Sequence, residues 1–64
     1  EYEAIRAVIA ARLACNMTQK ELAEKTGIRQ SNISRIESGS ASPTIDTLAR
    51  IAAGLGKQLK IDFV

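Results

Sequence analysis

Gln30, Ser31, Ser34 and Arg35 carry the most directed chemistry in this chain. At ~100° per residue, a helix over Arg29 to Ser38 turns Ile33 and Ile36 to one side and fans those four residues over the other, and this outer face holds no acid. Gln can make two parallel hydrogen bonds to an adenine edge and Arg two to guanine, while Ser is short enough to let a helix backbone approach a groove. The chemistry on offer is hydrogen-bond reading of duplex base edges. Solvated helix faces usually mix both signs, as Lys20, Glu21, Glu24 and Lys25 do nearby. A Ser-rich, neutral-to-basic face serves solubility in most settings, and the elements in front of it argue for more than that here.

Those elements are legible in order. Tyr2 to Asn16 contains no Gly or Pro, and Ile5, Val8, Ile9 and Leu13 fall on one helical face, which predicts a first helix. Met17-Thr18-Gln19-Lys20-Glu21-Leu22 carries a full start signal: Thr18 as N-cap, Glu21 as its capping-box partner, and Met17 placed to staple against Leu22. The second helix therefore starts at Thr18 or Gln19 and runs to Gly27, where a residue tolerant of positive φ can end it and turn. Ile28 follows as a turn residue, and the short third helix closes at Gly39. Ser40-Ala41-Ser42-Pro43 reads as a loop, after which Thr44 caps a fourth helix with the stripe Ile45, Leu48, Ile51, Ala52 and Leu55, ending at Gly54 and Gly56.

A close crossing of two short helices needs a small residue on the first, a turn that accepts positive φ, and inward aliphatics on the second. Ala23, Gly27, Ile33 and Ile36 occupy those places, with Leu22 and Ile28 beside them, which is the helix-turn-helix plan rather than an ordinary helical hairpin. Helix N-termini and nearby polar groups bind phosphate through free amides and the helix dipole. Thr18 and Gln19, and Asn32, Ser38 and Ser40 around the third helix, are placed for such contacts, although each also serves as a plain capping or loop residue. Arg12 lies on the apolar face of the first helix, where an unpaired charge is costly. Glu37, projecting to the inner side of the third helix, is its best partner, the alternative being a snorkelling Arg12 with its head in water.

In the tail, Leu59, Ile61 and Phe63 alternate with Gln58, Lys60 and Asp62, a period of two that predicts a strand over Leu59 to Val64. A lone strand among four helices has unpaired amides, so it is expected to pair with another chain.

With these residues in view, the sequence from Met17 to Leu55 resembles the Cro/C1-type (XRE) helix-turn-helix family. The resemblance rests on Thr18-Gln19-Lys20-Glu21-Leu22-Ala23, on Gly27 through Gly39 and on Pro43-Thr44-Ile45-Asp46-Thr47-Leu48. It implies an all-α, compact four-helix bundle of the lambda-repressor-like type, here with a short C-terminal β-strand. Residues 1–56 would form the DNA-binding domain and residues 57–64 a dimer or partner contact through Leu59, Ile61 and Phe63. Carried over residue by residue, Arg29, Gln30, Ser31 and Arg35 would touch bases, with Ser34 beside them on the same face. Gln19, Asn32 and Ser38 would touch phosphates, and Arg12 would pair with Glu37. Two departures matter. Arg29 stands where the family usually has Ser or Thr, which weakens the third helix's cap and offers an added phosphate or guanine contact. A strand replaces the fifth helix of phage repressors, and with the Glu1-Tyr2-Glu3 start this looks like the short antitoxins of the HigA kind, which pair with small ribonuclease toxins of the RelE/HigB type and repress their own operon.

Composition narrows the functions. The 64 residues, 45% of them hydrophobic, suffice for one small core. Nine Lys and Arg against seven Asp and Glu leave a net charge of +2 and a pI near 9.1, a mild basic bias that proves no partner. Tyr2 and Phe63 are the only aromatics, which disfavours single-strand binding by base stacking. One cysteine, Cys15, and no histidine argue against disulfide frameworks, zinc sites and nucleophile–base pairs, so neither a metal, a cofactor nor an enzyme is expected. Cys15 is expected as a buried, reduced thiol in a cytoplasmic protein. No apolar run approaches the ~20 residues of a membrane span and no signal-peptide plan is visible, while a start at Glu1 leaves room for residues upstream. The expected function is a transcriptional regulator, a repressor that binds a palindromic operator in double-stranded DNA as a homodimer. The alternative is an antitoxin whose partner is a toxin protein.

Overall fold

In a computed structural model that describes residues 2–63, the chain forms α1 (Tyr2–Ala14), α2 (Gln19–Thr26), α3 (Gln30–Ser38) and α4 (Ile45–Gly54). Glu1 and Val64, with the side chain of Tyr2, lie outside the described residues. Local chemistry sets the boundaries. α1 stops earlier than Asn16 because Asn16 adopts a left-handed φ of 53°, and the Met17 amide donates back to the Arg12 carbonyl at 3.1 Å. Asn is one of the few residues with a side chain that tolerates this conformation. α2 starts on a complete capping box: Thr18 Oγ1 accepts from the Glu21 amide at 3.0 Å, and Glu21 Oε1 accepts from the Thr18 amide at 2.8 Å. Gly27, at φ 75°, ends α2 and sends its amide to the Ala23 carbonyl. Thr44 caps α4 through the Thr47 amide at 3.1 Å.

The core gathers Val8 of α1, Leu22 of α2, Ile28 of the turn, Ile33 and Ile36 of α3, and Ile51 and Leu55 at the end of α4. Met17, Ala23 and Leu48 pack against it from partly buried positions. Each fully buried aliphatic contributes on the order of 1.5–3 kcal/mol, and α3, whose first helical turn is uncapped by a side chain, is held mainly by Ile33 and Ile36. α2 packs against both α3 and α4, while α1 packs against α3. Gly54, the last residue of α4, permits the α2–α4 approach: a Cβ there would lie 2.5 Å from Thr26 Cγ2.

Several expectations change. The C-terminal strand is not present among the described residues: Gln58 to Phe63 carry no strand assignment. A period of two records which side chains alternate, whereas a strand also needs a neighbouring edge, and helices spend their backbone groups internally. Cys15 is exposed rather than buried, because the chain leaves α1 there; its Sγ lies 3.8 Å from the Leu55 carbonyl oxygen. Leu13 and Ile45, the ends of two apolar stripes, are also exposed, since no element reaches far enough to cover them.

Candidate functional site

Arg12, Gln19 and Glu37 form the most tightly bonded side-chain group in the described residues, and it joins three helices. Arg12 of α1 donates from Nε to Glu37 Oε2 at 2.8 Å and from Nη2 to Glu37 Oε1 at 2.9 Å, the bidentate fork that guanidinium and carboxylate planes favour. Its Nη1 donates to the Met17 carbonyl at 2.9 Å, a contact with no signal in the sequence because it depends on where the chain passes after Asn16. Gln19, at the start of α2, donates from Nε2 to Glu37 Oε1 at 2.9 Å. The Arg12 and Glu37 side chains retain only 12% and 7% exposure. Burial pushes the Glu37 carboxyl up, but the hydrogen bonds from Arg12 and Gln19 and the Arg12 charge outweigh it and hold the group below the usual carboxylate range. The hydrogen bond to Glu37 likewise raises Arg12.

This inward pairing decides the electrostatics of the opposite face. Glu37 is the only acid of α3, and once it is bonded to Arg12 the outer surface of that helix shows Gln30, Ser31, Asn32, Ser34 and Arg35, all exposed. Ile33 and Ile36, 0% and 2% exposed, fix the rotation of the helix so that this polar face points outward. Arg29 is the exposed N-cap of α3 and makes no side-chain capping bond, leaving its guanidinium available at the helix start. Arg50 of α4 reaches the turn between α2 and α3, its Nη2 standing 3.9 Å from where a Cβ at Gly27 would be; as an exposed Arg on a polar helix face it gave no distinguishing sequence signal.

The residues assigned to phosphate contacts divide into two groups. Thr18 is exposed, with its hydroxyl oxygen engaged in the capping box, and Gln19 is half-buried against Glu37. Its amide nitrogen carries two hydrogens, so the bond to Glu37 orients the group while one N–H remains for an outside acceptor. At the other end of α3, Ser38 and Ser40 are exposed with their hydroxyls 3.0 Å apart, and Ser38 also bonds the Arg35 carbonyl at 3.1 Å. Leu59, Ile61 and Phe63 belong to the exposed tail.

Residues 8–61 match a family model described as helix-turn-helix. The chain is 39% identical over 57 residues to an uncharacterised HTH-type transcriptional regulator of Haemophilus influenzae, a match covering 89% of this chain and 58% of that protein. It is 35% identical over 57 residues to the antitoxin HigA1 of Mycobacterium tuberculosis, covering 89% of this chain and 38% of that protein. A further HTH-type regulator, y4dL of Sinorhizobium fredii, is 40% identical over 50 residues, covering 78% of this chain and 26% of its own length. The chain thus spans between about a quarter and three fifths of these relatives. No solved structure matches it.

Proposed function

The chain belongs to the Cro/C1-type helix-turn-helix family of DNA-binding transcription regulators, and from that premise we propose that it represses transcription by binding a palindromic operator as a homodimer, with α3 in the major groove. The observation that carries this reading is the segregation of charge on α3: its single acid is bonded inward to Arg12, and its outward face is neutral to basic. Gln30, Ser31, Ser34 and Arg35, with Arg29 at the helix start, read base edges; Thr18, Gln19, Asn32, Ser38 and Ser40 hold phosphates and so fix register. One short helix reads too few base pairs for useful discrimination, which is why a second copy is needed, its α3 one helical turn or ~34 Å along the duplex. This is a binding module and not an enzyme.

Selection of bound duplexes from a randomised pool at two salt concentrations tests the reading. An inverted repeat with half-sites about one helical turn apart is the expected product, and recovery of only salt-sensitive, sequence-blind binding overturns it. Gln30→Ala relaxes base preference, whereas Gln19→Ala weakens all sequences alike.

The likeness to an antitoxin favours a second reading, in which the chain also neutralises a toxin of the RelE/HigB type and represses the operon that encodes both. Co-expression with such a toxin should then yield a stable complex, and a toxin that stays fully active and separate on purification removes this reading while leaving the first intact.

A further inference from the structure

Arg12 and Arg50 spend their guanidinium groups in opposite ways. Arg12 commits Nε, Nη1 and Nη2 to Glu37 and the Met17 carbonyl. Arg50, in the middle of α4, is exposed and forms no hydrogen bond or ion pair among the described residues. Asp46 stands four residues earlier on the same helix, a spacing at which a carboxylate and an Arg ordinarily pair, yet the two do not join. The fold carries Arg50 elsewhere. Gly54, one turn further along the same face of α4, lies against Thr26, Leu22 and Lys25 of α2, and Arg50 falls over the chain that follows them. Its Nη2 stands 3.9 Å from where a Cβ at Gly27 would be, so the guanidinium rests on a stretch of turn that has no side chain of its own. From Thr26 to Ser31 that stretch holds no acid.

That position gives the free guanidinium a use. In a helix-turn-helix the first residues of the second helix meet base edges in the major groove. The turn that delivers them therefore stands at the rim of the groove, where the phosphates of a strand run, and here Arg29 and Gln30 follow it directly. A guanidinium is always charged and offers five N–H donors in a planar fork that fits phosphate oxygens. Resting on the DNA-binding reading above, we infer that Arg50 grips a backbone phosphate of the duplex across the α2–α3 turn, so that the interface extends onto α4. Such a contact carries no sequence: it adds affinity for every duplex and helps to fix the register of α3, while base reading stays with α3 itself. The other use for a cation here is to cap the last carbonyls of α2. Arg50 bonds none of them, and α2 is closed instead by the Gly27 amide on the Ala23 carbonyl and the Thr26 hydroxyl on the Leu22 carbonyl.

Fluorescence anisotropy titrations across a range of salt concentrations test the contact, with a duplex carrying the selected inverted repeat and with a random-sequence duplex. Arg50→Ala should weaken both duplexes by the same factor, several-fold at low salt, and should reduce the slope of log affinity on log salt by about 0.9 for each chain bound. Arg50→Gln, which keeps a stem to lie over Gly27 but removes the charge, should lose the same slope, and it carries the test if the alanine variant does not fold. Arg50→Lys should restore the slope, since a point charge still displaces a counterion, while recovering only part of the affinity because the fork is gone. Urea unfolding of each free variant shows which of them are folded. Undiminished affinity and slope in Arg50→Gln overturns the inference, as does a loss confined to the inverted repeat with an unchanged slope, which is the mark of a residue that only holds the turn. An unaltered chain that binds duplexes without sequence preference overturns the repressor reading but leaves the Arg50 slope measurable on the random duplex. A chain with no affinity for either duplex overturns both.

Discussion

The unit made by α2, its turn and α3 differs from the side made by α4 and the tail in how far each satisfies its own groups. In the first, the side-chain cap of α2, the Arg12–Glu37–Gln19 bonds and the buried Leu22, Ile33 and Ile36 meet most local demands within the chain, and the outward face of α3 carries polar and basic residues without an acid. In the second, Ile45, Leu59, Ile61 and Phe63 remain exposed beside an open apolar groove. The difference teaches that the polar face of α3 is held in place by contacts within the chain, whereas the tail side leaves apolar groups that the described residues do not cover.

The sharpest way to break that contrast is to delete the same atoms from each side. Ile36→Ala opens a cavity in a position 2% exposed and should cost about 3–4 kcal/mol, a large share of what a domain of this size possesses. Ile61→Ala, at a position 53% exposed, should change monomer stability by about 0.5 kcal/mol or less in urea unfolding at a concentration where the chain is monomeric. Comparable losses from both would mean the tail is part of the monomer core.

Glu37→Gln comes next. It keeps the shape of the carboxyl group but leaves the Arg12 charge, 12% exposed, without its counter-charge; breaking a buried pair costs ~3–5 kcal/mol, and residual solvent access reduces this to about 2 kcal/mol. pH supplies the independent check. Glu37 titrates below the usual carboxylate range in the folded chain, so its stabilisation is complete above the ordinary value of about 4.3 and disappears as pH falls through the depressed folded value. Part of the acid-side loss of stability should therefore vanish in Glu37→Gln, and an unchanged pH profile would mean that the pair contributes nothing through charge.

Gly54→Ala separates a tertiary demand from a local one. Alanine in a helix is ordinarily better than glycine by ~1 kcal/mol, so helix propensity alone predicts stabilisation. The new Cβ would lie 2.5 Å from Thr26 Cγ2, and Thr26 cannot swing aside cheaply because its hydroxyl donates to the Leu22 carbonyl at 2.8 Å and accepts from the Ile28 amide at 3.2 Å. Overpacking at about 1–3 kcal/mol wins, and a net loss of about 1 kcal/mol is expected in thermal or urea unfolding.

The same distinction explains what could be read in advance. Thr18, Glu21, Gly27 and Gly39 were legible because capping and left-handed turns are decided by residues within a few positions of one another. Arg12 signalled a partner because a charge on an apolar stripe is costly, and the side of α3 on which Glu37 falls followed from helical projection. Gly54 read as a helix end because the methyl group it avoids belongs to Thr26, nearly half the chain away. Leu13 and Ile45 read as buried because periodicity marks an apolar face without saying where along its length a neighbour stops, and Cys15 read as buried because a lone reduced cysteine ordinarily packs as a small hydrophobe. Leu59 to Phe63 read as a strand because alternation is a property of one chain and a ladder is a property of two.

Arg29 offers the finest test of the contrast, since it is the one place where the otherwise satisfied unit leaves a local demand open. The position caps α3 with extended backbone, φ −62° and ψ 139°, yet its side chain makes no capping bond. Arg29→Ser would place a hydroxyl in reach of the free amides of the first turn and should stabilise the fold by about 0.5–1 kcal/mol. If the guanidinium is kept there for phosphate or guanine, the same variant should bind duplex DNA less tightly and, for a phosphate contact, with a shallower dependence on salt. Opposite signs in stability and affinity would show that the helix gives up its own cap for the ligand. A variant that gains stability at undiminished affinity would leave Arg29 outside the interface and confine base reading to Gln30, Ser31, Ser34 and Arg35.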